Sequence, residues 1–244
     1  MFLIMSFLLS FPSVAQETKL MVRVKSKDAK FIGTSIGGAK IYIRDAFSQD
    51  LLAEGITSGS TGNTEVIMKQ AHQRRKNLSD SNTAGFLAKL DLEKPTFITV
   101  EAVAPHNASH AKVKSSTQLW VIPGKDIVGD GIVLEIPGFI VDILSPQRHE
   151  TLDSSLVELK ANIIMMCGCP TSPGGMWDAN DYEVKAIISK EGKKLEEITL
   201  KYTGKTNTFS GNFKGSSGFY EAVIYAYDSV TGNTGVDKTN FILP

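Results

Sequence analysis

The sequence predicts an all-β protein made of two tandem antiparallel β-sandwich domains. Apolar and polar residues alternate over short stretches, which is typical of strands with one buried face. Clusters of Gly, Asp, Asn and Ser separate these stretches, as they do in sandwiches of short strands. A Pro-Gly pair, Pro137-Gly138, interrupts the chain near its middle. Because proline followed by glycine is strong punctuation, we place the two domains at residues 18–136 and 138–244.

The first domain is predicted from several alternating segments. In the first of them, Leu20, Val22 and Val24 share one face. The predicted strands are Leu20–Val24, Gly38–Asp45, Leu51–Gly55, Gly85–Leu90, Thr96–Ala102 and Gln118–Ile122. The polar and basic segment Lys69–Ser81 predicts a long loop or one short helix.

Two segments of this domain resemble a known family. They read GGAKIYIRDAFSQDLLAEGITSGSTGNT (37–64) and AGFLAKLDLEKPTFITVEAVAP (84–105). The strand that runs into a hairpin, the L-A-x-G-x-T strand after it and the later apolar strand resemble the carboxypeptidase regulatory-like, or transthyretin-like, β-sandwich. The resemblance implies a small accessory domain without catalytic residues.

The second domain shows the same alternation and ends in a hairpin. Its predicted strands are Gly138–Leu144, Val157–Met165, Tyr182–Ser189, Glu197–Tyr202, Thr208–Phe213, Tyr220–Asp228 and Val236–Leu243. The closing segment GFYEAVIYAYDSVTGNTGVDKTNFILP is similar to the last hairpin of bacterial immunoglobulin-like domains, although Ala222 stands where a larger apolar residue is usual. This resemblance implies a fold and no particular function, because such sandwiches carry many functions.

Charge and the N-terminus indicate where the protein acts. Lys+Arg and Asp+Glu are both 26, so the net charge is zero and we expect neither a nucleic-acid partner nor attraction to an anionic membrane. An apolar run, Phe2–Phe11, precedes Ser13-Val14-Ala15, which predicts a signal peptide over residues 1–15, although no Lys or Arg precedes the run. We expect an exported protein, periplasmic, cell-surface or secreted, with no transmembrane segment after signal removal.

Catalytic patterns are absent from the sequence. It contains no G-x-S-x-G elbow for a serine nucleophile. His106 and His110 have the H-x-x-x-H spacing of a zinc site, but the segment APHNASHAKV reads as a loop and has no glutamate between the histidines. Since no nucleophile, base and oxyanion donor come together, we expect no enzyme.

The only cysteines of the chain lie in the segment MMCGCPTSPGGMW (165–177). If the alternation of the Val157–Met165 strand continues, Met165, Cys167 and Cys169 face the core and Met166 faces outward. Pro170 cannot continue a central strand, so the strand is predicted to end near Cys169, at the open end of the sandwich.

Three interpretations of this segment stay open. The cysteines are reduced and packed beneath Trp177, or they form a disulfide, or they bind a soft metal. In an extended strand, cysteines two residues apart lie about 6.6 Å apart at a rise of ~3.3 Å per residue, so a disulfide requires a kink at Gly168. A soft-metal site would hold Cu(I) with Cys167 and Cys169 as thiolate ligands and Met165 and Met176 as thioether ligands.

The sequence therefore predicts a non-enzymatic exported accessory protein whose sandwich loops bind a protein or glycan partner. The alternative is a copper-handling protein of the cell envelope that uses the Cys-Gly-Cys loop. A redox-active C-x-C thiol protein is the third interpretation, although the cysteines lack the helix N-terminus that lowers a thiol pKa.

Overall fold

The computed structural model describes residues 15–244 and confirms the all-β prediction. The predicted signal peptide lies outside the described residues except for Ala15. Over these residues the chain forms sixteen strands and four short helical segments, and most strands pair antiparallel. No helix in the described part of the chain is long and apolar enough to cross a membrane.

The N-terminal sandwich consists of seven strands in two sheets. The strands are β1 (Gln16–Ser26), β2 (Lys40–Asp45), β3 (Leu51–Ile56), β4 (Phe86–Leu92), β5 (Thr96–Ala104), β6 (Val113–Val121) and β7 (Ile127–Ile136). One sheet has the order β4-β1-β7 and the other has the order β3-β2-β5-β6. Their inward side chains, such as Leu20, Ile41 and Val100, form a single buried apolar cluster.

The C-terminal sandwich consists of nine strands in two sheets. The strands are β8 (Phe139–Ser145), β9 (Glu150–Thr151), β10 (Leu156–Met165), β11 (Tyr182–Lys190), β12 (Lys193–Thr199), β13 (Lys201–Tyr202), β14 (Thr208–Lys214), β15 (Gly218–Asp228) and β16 (Thr234–Leu243). The sheets have the orders β13-β14-β10-β8 and β12-β11-β15-β16-β9. As alternation predicts, Val157, Leu159, Ala161, Ile163 and Met165 are all buried in the core of this sandwich.

Two strand pairs depart from the antiparallel prediction. β1 runs parallel to β7, and β9 runs parallel to β16. In the first pair Ser26 lies opposite Ile136, so the turn after β1 lies beside the linker to the C-terminal sandwich. The Lys27 amide donates to the Ile136 carbonyl at 2.9 Å and holds that turn in place. The parallel pairing thus brings the tip of an N-terminal turn to the boundary between the sandwiches.

The helical segments are short connections. Thr34–Ile36, Ser109–Ala111 and Ala179–Asp181 are 3₁₀ turns, and Glu65–Lys69 is a single π turn. The π turn starts earlier than the predicted helix or loop at Lys69–Ser81, and the chain beyond it is a loop. It begins where the Asn63 side chain accepts a hydrogen bond from the Glu65 amide at 2.9 Å.

The two apolar cores each take in residues from the other sandwich. Ala29, in the turn after β1, is fully buried in the C-terminal core, and Met68 packs against the same cluster. In return, Ile140 and Met166 of the C-terminal sandwich are buried in the N-terminal core. The contact between the sandwiches is therefore apolar and continuous with both cores.

Candidate functional site

The Cys-Gly-Cys segment forms a tight reverse turn at the end of β10. The Gly168 amide donates to the Met165 carbonyl at 2.8 Å, and the Met165 amide donates to the Cys169 carbonyl at 3.1 Å. Gly168 has a φ of 77°, in the left-handed region that glycine adopts without strain. The prediction that the strand continues to Cys169 is wrong, because this turn reverses the chain after Met165.

Cys167 and Cys169 are joined by a disulfide inside this turn. Their Cα atoms are 5.3 Å apart, closer than two such positions in an extended strand, because the chain turns at Gly168. Cys167 is fully buried and Cys169 is only 4% exposed. The segment was expected at an open end of the sandwich, but the structure shows the cysteines covered and not facing solvent.

The four predicted soft-metal ligands differ in their exposure to solvent. Met165 shares the buried turn with Cys167 and Cys169, whereas Met176 is 43% exposed on the loop that follows. The Tyr182 hydroxyl donates to the Met165 sulfur at 3.9 Å. Within residues 15–244, no group of three or more His, Cys, Asp or Glu side chains is arranged to hold a metal ion. The disulfide form has no thiolate, so a soft metal would require reduction of the bond first.

Burial, together with acidic groups near this turn, keeps the Tyr182 hydroxyl protonated. Burial raises the pKa of the Tyr182 hydroxyl, and the nearby Asp228 and Asp28 carboxylates raise it further. Partial burial also raises the pKa of Asp28, and Asp228 again adds to the effect. Tyr182 therefore remains a hydrogen-bond donor to the Met165 sulfur over the physiological pH range.

Residues of the N-terminal sandwich cover the Cys-Gly-Cys turn. The position that a Cβ atom would take at Gly168 lies 2.7 Å from the Ile36 Cγ2 atom, so the Thr34–Ile36 turn lies directly against the glycine. The Trp177 indole N–H donates to the Asp28 carbonyl at 3.0 Å. The sequence did not predict that the N-terminal sandwich packs on this turn, because alternation shows which side of a strand is apolar but not what packs against that side.

Asn233 ties the linker and the N-terminal sandwich to the last hairpin. Its side-chain amide donates to the Lys27 carbonyl at 3.1 Å, and its side-chain carbonyl accepts from the Gly138 amide at 2.8 Å. Asn233 is fully buried. In the sequence it reads only as part of a hairpin turn, and nothing there points to this second role.

The two spaced histidines do not form a metal site. The Nε2 atom of His110 lies 3.0 Å from the Val141 carbonyl oxygen and 3.2 Å from an Asp142 carboxylate oxygen of the C-terminal sandwich. His106 lines a small surface cavity of the N-terminal sandwich with Lys40 and Lys112. The loop prediction for this segment is confirmed, with one short 3₁₀ turn at Ser109–Ala111.

A second candidate site lies on the outer surface of the N-terminal sandwich. Phe47, Phe97 and Trp120 form a row, hereafter the aromatic row, with ring centroids 5.9 Å apart between the phenylalanines and 5.1 Å apart between Phe97 and Trp120. Phe47 is 77% exposed and Trp120 is 56% exposed. Phe97 and Trp120 lie directly opposite each other on β5 and β6, facing away from the core.

Charged and polar side chains continue this face beyond the aromatic row. The ring of Tyr42 lies beneath the Lys40 ammonium, at 5.3 Å, and the Arg44 guanidinium, at 5.8 Å. The Gln118 amide donates to the Thr99 hydroxyl at 3.0 Å on the neighbouring strands. The sequence signal of this face is the presence of apolar residues at outward positions of β5 and β6.

No protein family matches the sequence, and no curated protein matches it either. Solved structures show a distant similarity. An engineered protein has a TM-score of 0.34 at 15% identity over 51% of this chain, and the match spans only 24% of the engineered chain.

Two multidomain structures match most of this chain. Fibronectin(III)-like modules of Clostridium thermocellum CbhA have a TM-score of 0.29 at 9% identity, covering 95% of this chain and 90% of theirs. Dpr2 Ig1–Ig2, solved in complex with DIP-Theta, has a TM-score of 0.28 at 9% identity, covering 93% and 99%. At these TM-scores the likenesses carry no functional argument, and the all-β assignment rests on the strands themselves.

Proposed function

We propose that this chain is a non-enzymatic, exported accessory protein that binds a protein or glycan partner at the cell surface or in the periplasm. The observation that carries the proposal is the aromatic row. Phe47 and Trp120 expose most of their side chains although the chain buries other aromatic residues fully, such as Phe31 and Phe139. Exposed aromatic groups next to polar ones are typical of binding surfaces.

The geometry of the row suits a flat partner surface. Phe97 and Trp120 stand on paired strands, so the backbone beneath the two rings is already ordered before a partner binds. Tryptophan is enriched among residues that contribute most to binding energy, because it combines a large apolar area with one polar N–H group. The Gln118 amide and the Arg44 guanidinium beside the row supply hydrogen-bond donors for a polar rim.

The shifted carboxyl groups support the non-enzymatic part of the proposal. The pKa of Asp45 is lowered because its carboxylate accepts hydrogen bonds from the Ser48 and Phe47 amides of a turn. The pKa of Glu183 is lowered by a hydrogen bond from the Tyr225 hydroxyl and by the Lys185 ammonium. Both shifts have structural causes and are downward, whereas a general base needs a pKa raised towards neutrality. Asp28, whose pKa is raised, owes that shift to partial burial and to the neighbouring Asp228 carboxylate.

The test compares aromatic substitutions on the two sandwiches. Purified protein is screened on a glycan array and in a pull-down from cell-envelope extract. The Trp120→Ala and Phe47→Ala variants are expected to bind any partner at least about ten-fold more weakly. Phe219→Ala is the matched control, because Phe219 is 65% exposed on β15 of the other sandwich. Absence of any partner, or equal loss in the control, would contradict the proposal.

Copper handling is the second proposal, and it requires the reduced form. The observation that favours it is that Met165, Cys167 and Cys169 belong to one tight turn, since thiolates and thioethers select Cu(I). Reduced protein is expected to bind about one equivalent of Cu(I), and the Cys167→Ser/Cys169→Ser variant none. Met176→Leu tests the fourth ligand. If the double serine variant binds as much Cu(I) as the reduced wild-type protein, the proposed copper site is excluded.

A further inference from the structure

We propose that the Cys167–Cys169 disulfide is a redox-sensitive switch for the contact between the two sandwiches. In the oxidised form, the bond fixes the tight turn that packs on the N-terminal sandwich. Reduction by a dithiol releases the turn and loosens the contact. This proposal concerns how the two sandwiches are held together and does not depend on the identity of a surface partner.

The first support is the position of the turn. The disulfide closes on either side of Gly168, and Gly168 is the residue of that turn that lies against Ile36 of the N-terminal sandwich. A Cβ atom at Gly168 would lie only 2.7 Å from the Ile36 Cγ2 atom, so a side chain there would force Ile36 to move. Any change in the conformation of residues 167–169 therefore acts directly on the contact.

The second support is that other residues of the same chain segment also contact the N-terminal sandwich. Met166, within the turn, is 1% exposed and packs in the core of the N-terminal sandwich. Trp177, on the loop after the turn, donates to the Asp28 carbonyl. The loop begins at Thr171, whose hydroxyl donates to the Ile163 carbonyl of β10 at 2.8 Å. A shift of the turn is transmitted to both residues, because all of them are close-packed.

The third support is the burial of the sulfur atoms. Cys167 and Cys169 are almost completely covered, so a dithiol reaches them only when the contact opens. A change that favours opening is then expected to speed reduction of the disulfide, and reduction in turn is expected to favour opening. The structure shows the docked arrangement, and the separated arrangement of the sandwiches is the second state that the proposal requires.

The chemistry of the switch is ordinary thiol–disulfide exchange. A thiolate of the dithiol attacks one cysteine sulfur, breaks the sulfur–sulfur bond and forms a mixed disulfide. The second thiol of the reductant then attacks the reductant sulfur of the mixed disulfide. The protein cysteine is released, and the reductant becomes a cyclic disulfide. Both electrons pass to the protein, and Cys167 and Cys169 take up one proton each. The two sulfurs, no longer bonded, separate to non-bonded contact within a packed region and displace their neighbours.

Trp177 provides a direct measurement of opening. The chain has two tryptophans, so the Trp120→Phe background leaves Trp177 as the single emitter. Trp177 is 7% exposed, and its emission is expected to shift to longer wavelength when dithiothreitol reduces the protein. The Cys167→Ser/Cys169→Ser variant is expected to match the reduced protein without reductant. Complete reduction, counted by thiol trapping, with unchanged Trp177 emission would overturn the proposal.

A second experiment asks whether opening of the contact speeds reduction of the disulfide. It measures the rate of reduction and needs no cysteine substitution. Asn233→Ala removes the hydrogen bond to the Lys27 carbonyl and is expected to speed reduction of the disulfide on the order of five-fold. Asn212→Ala is the matched control, since Asn212 is exposed on β14. Intact mass after alkylation follows the reaction. Equal rates in both variants would show that the contact does not control access and would refute the switch.

Discussion

The two tryptophans of this chain occupy opposite kinds of apolar surface. Trp177 is 7% exposed in the core of the C-terminal sandwich, which also takes in Ala29, and it donates a hydrogen bond to the Asp28 carbonyl of the N-terminal sandwich. Trp120 is 56% exposed and rests on Phe97 at the solvent face of the same sandwich. The chain supplies the partner of the first surface itself and leaves the second without one. The comparison separates the side chains that hold the two sandwiches together from those available to another molecule.

The largest expected effect contrasts these tryptophans directly. Trp177→Ala should lower the free energy of unfolding by about 3–5 kcal/mol, because it leaves a buried cavity and an unpaired Asp28 carbonyl. Trp120→Ala should cost less than about 1 kcal/mol, mainly the ring contact with Phe97. Urea unfolding followed by circular dichroism measures both. Similar losses in the two variants would remove the distinction between the surfaces.

The methionines of the candidate segment give the next contrast. Met166→Ala should lower the free energy of unfolding by about 2–4 kcal/mol, because Met166 is 1% exposed in the core of the N-terminal sandwich. Met176→Ala serves as control and should stay within about 0.5 kcal/mol, since Met176 is 43% exposed. A shift in thermal midpoint of similar size for both would indicate that Met166 does not contribute to the contact.

Met166 also shows what alternation can and cannot predict. The sequence pattern put Met165 and Met166 on opposite sides, and the structure places Met165 in the C-terminal core and Met166 in the N-terminal one. The outward side was expected to meet solvent, yet it meets the other sandwich. Periodicity reports the two faces of a strand, but the covering of the outer face depends on contacts between residues distant in sequence.

The strands themselves were largely predictable because local pattern and turn residues agree. The alternating core of β10, for example, is predicted at Val157–Met165 and observed at Leu156–Met165, although the predicted continuation to Cys169 is wrong. The parallel pairing of β1 with β7 was not predictable, since these strands are separated by the whole domain. The disulfide was one of three open interpretations, because its formation depends on the backbone reversal at Gly168 and not on spacing alone.

Two glycines of the candidate segment give a smaller and sharper contrast. Gly168 and Gly174 have similar φ angles, 77° and 69°, but only Gly168 has a neighbour within 4 Å of a built Cβ atom. Gly174→Ala should cost only backbone strain, about 1 kcal/mol, and Gly168→Ala should cost about 2–3 kcal/mol because Ile36 must also move. Urea midpoints of the two variants measure the difference. Equal costs would mean that the Thr34–Ile36 turn does not press on Gly168.

The smallest expected effect concerns the charge at the edge of the contact. Partial burial, followed by repulsion from Asp228, raises the pKa of Asp28, so the folded state holds this proton more tightly than the unfolded chain does. Ionisation of Asp28 therefore costs stability as the pH rises through the raised pKa, and protonation below it restores that stability. Asp28→Asn should thus stabilise the protein at pH 7, by only a few tenths of a kcal/mol because solvent screens this largely exposed residue.

Asparagine also suits the backbone at this position, because Asp28 has a φ of 55° and asparagine tolerates the left-handed region. The stabilisation by Asp28→Asn should be smaller when the free energies of unfolding of the variant and the wild type are measured at pH 3, because Asp28 is then protonated in the wild type. Asp153→Asn is the control, since it removes an equal charge on a loop of the C-terminal sandwich. If Asp153→Asn stabilises the protein at pH 7 as much as Asp28→Asn does, the stabilisation comes from the change in net charge and not from the contact between the sandwiches. A gain specific to Asp28 would show that the repulsion between Asp28 and Asp228 acts across that contact, since the two carboxyl groups belong to different sandwiches.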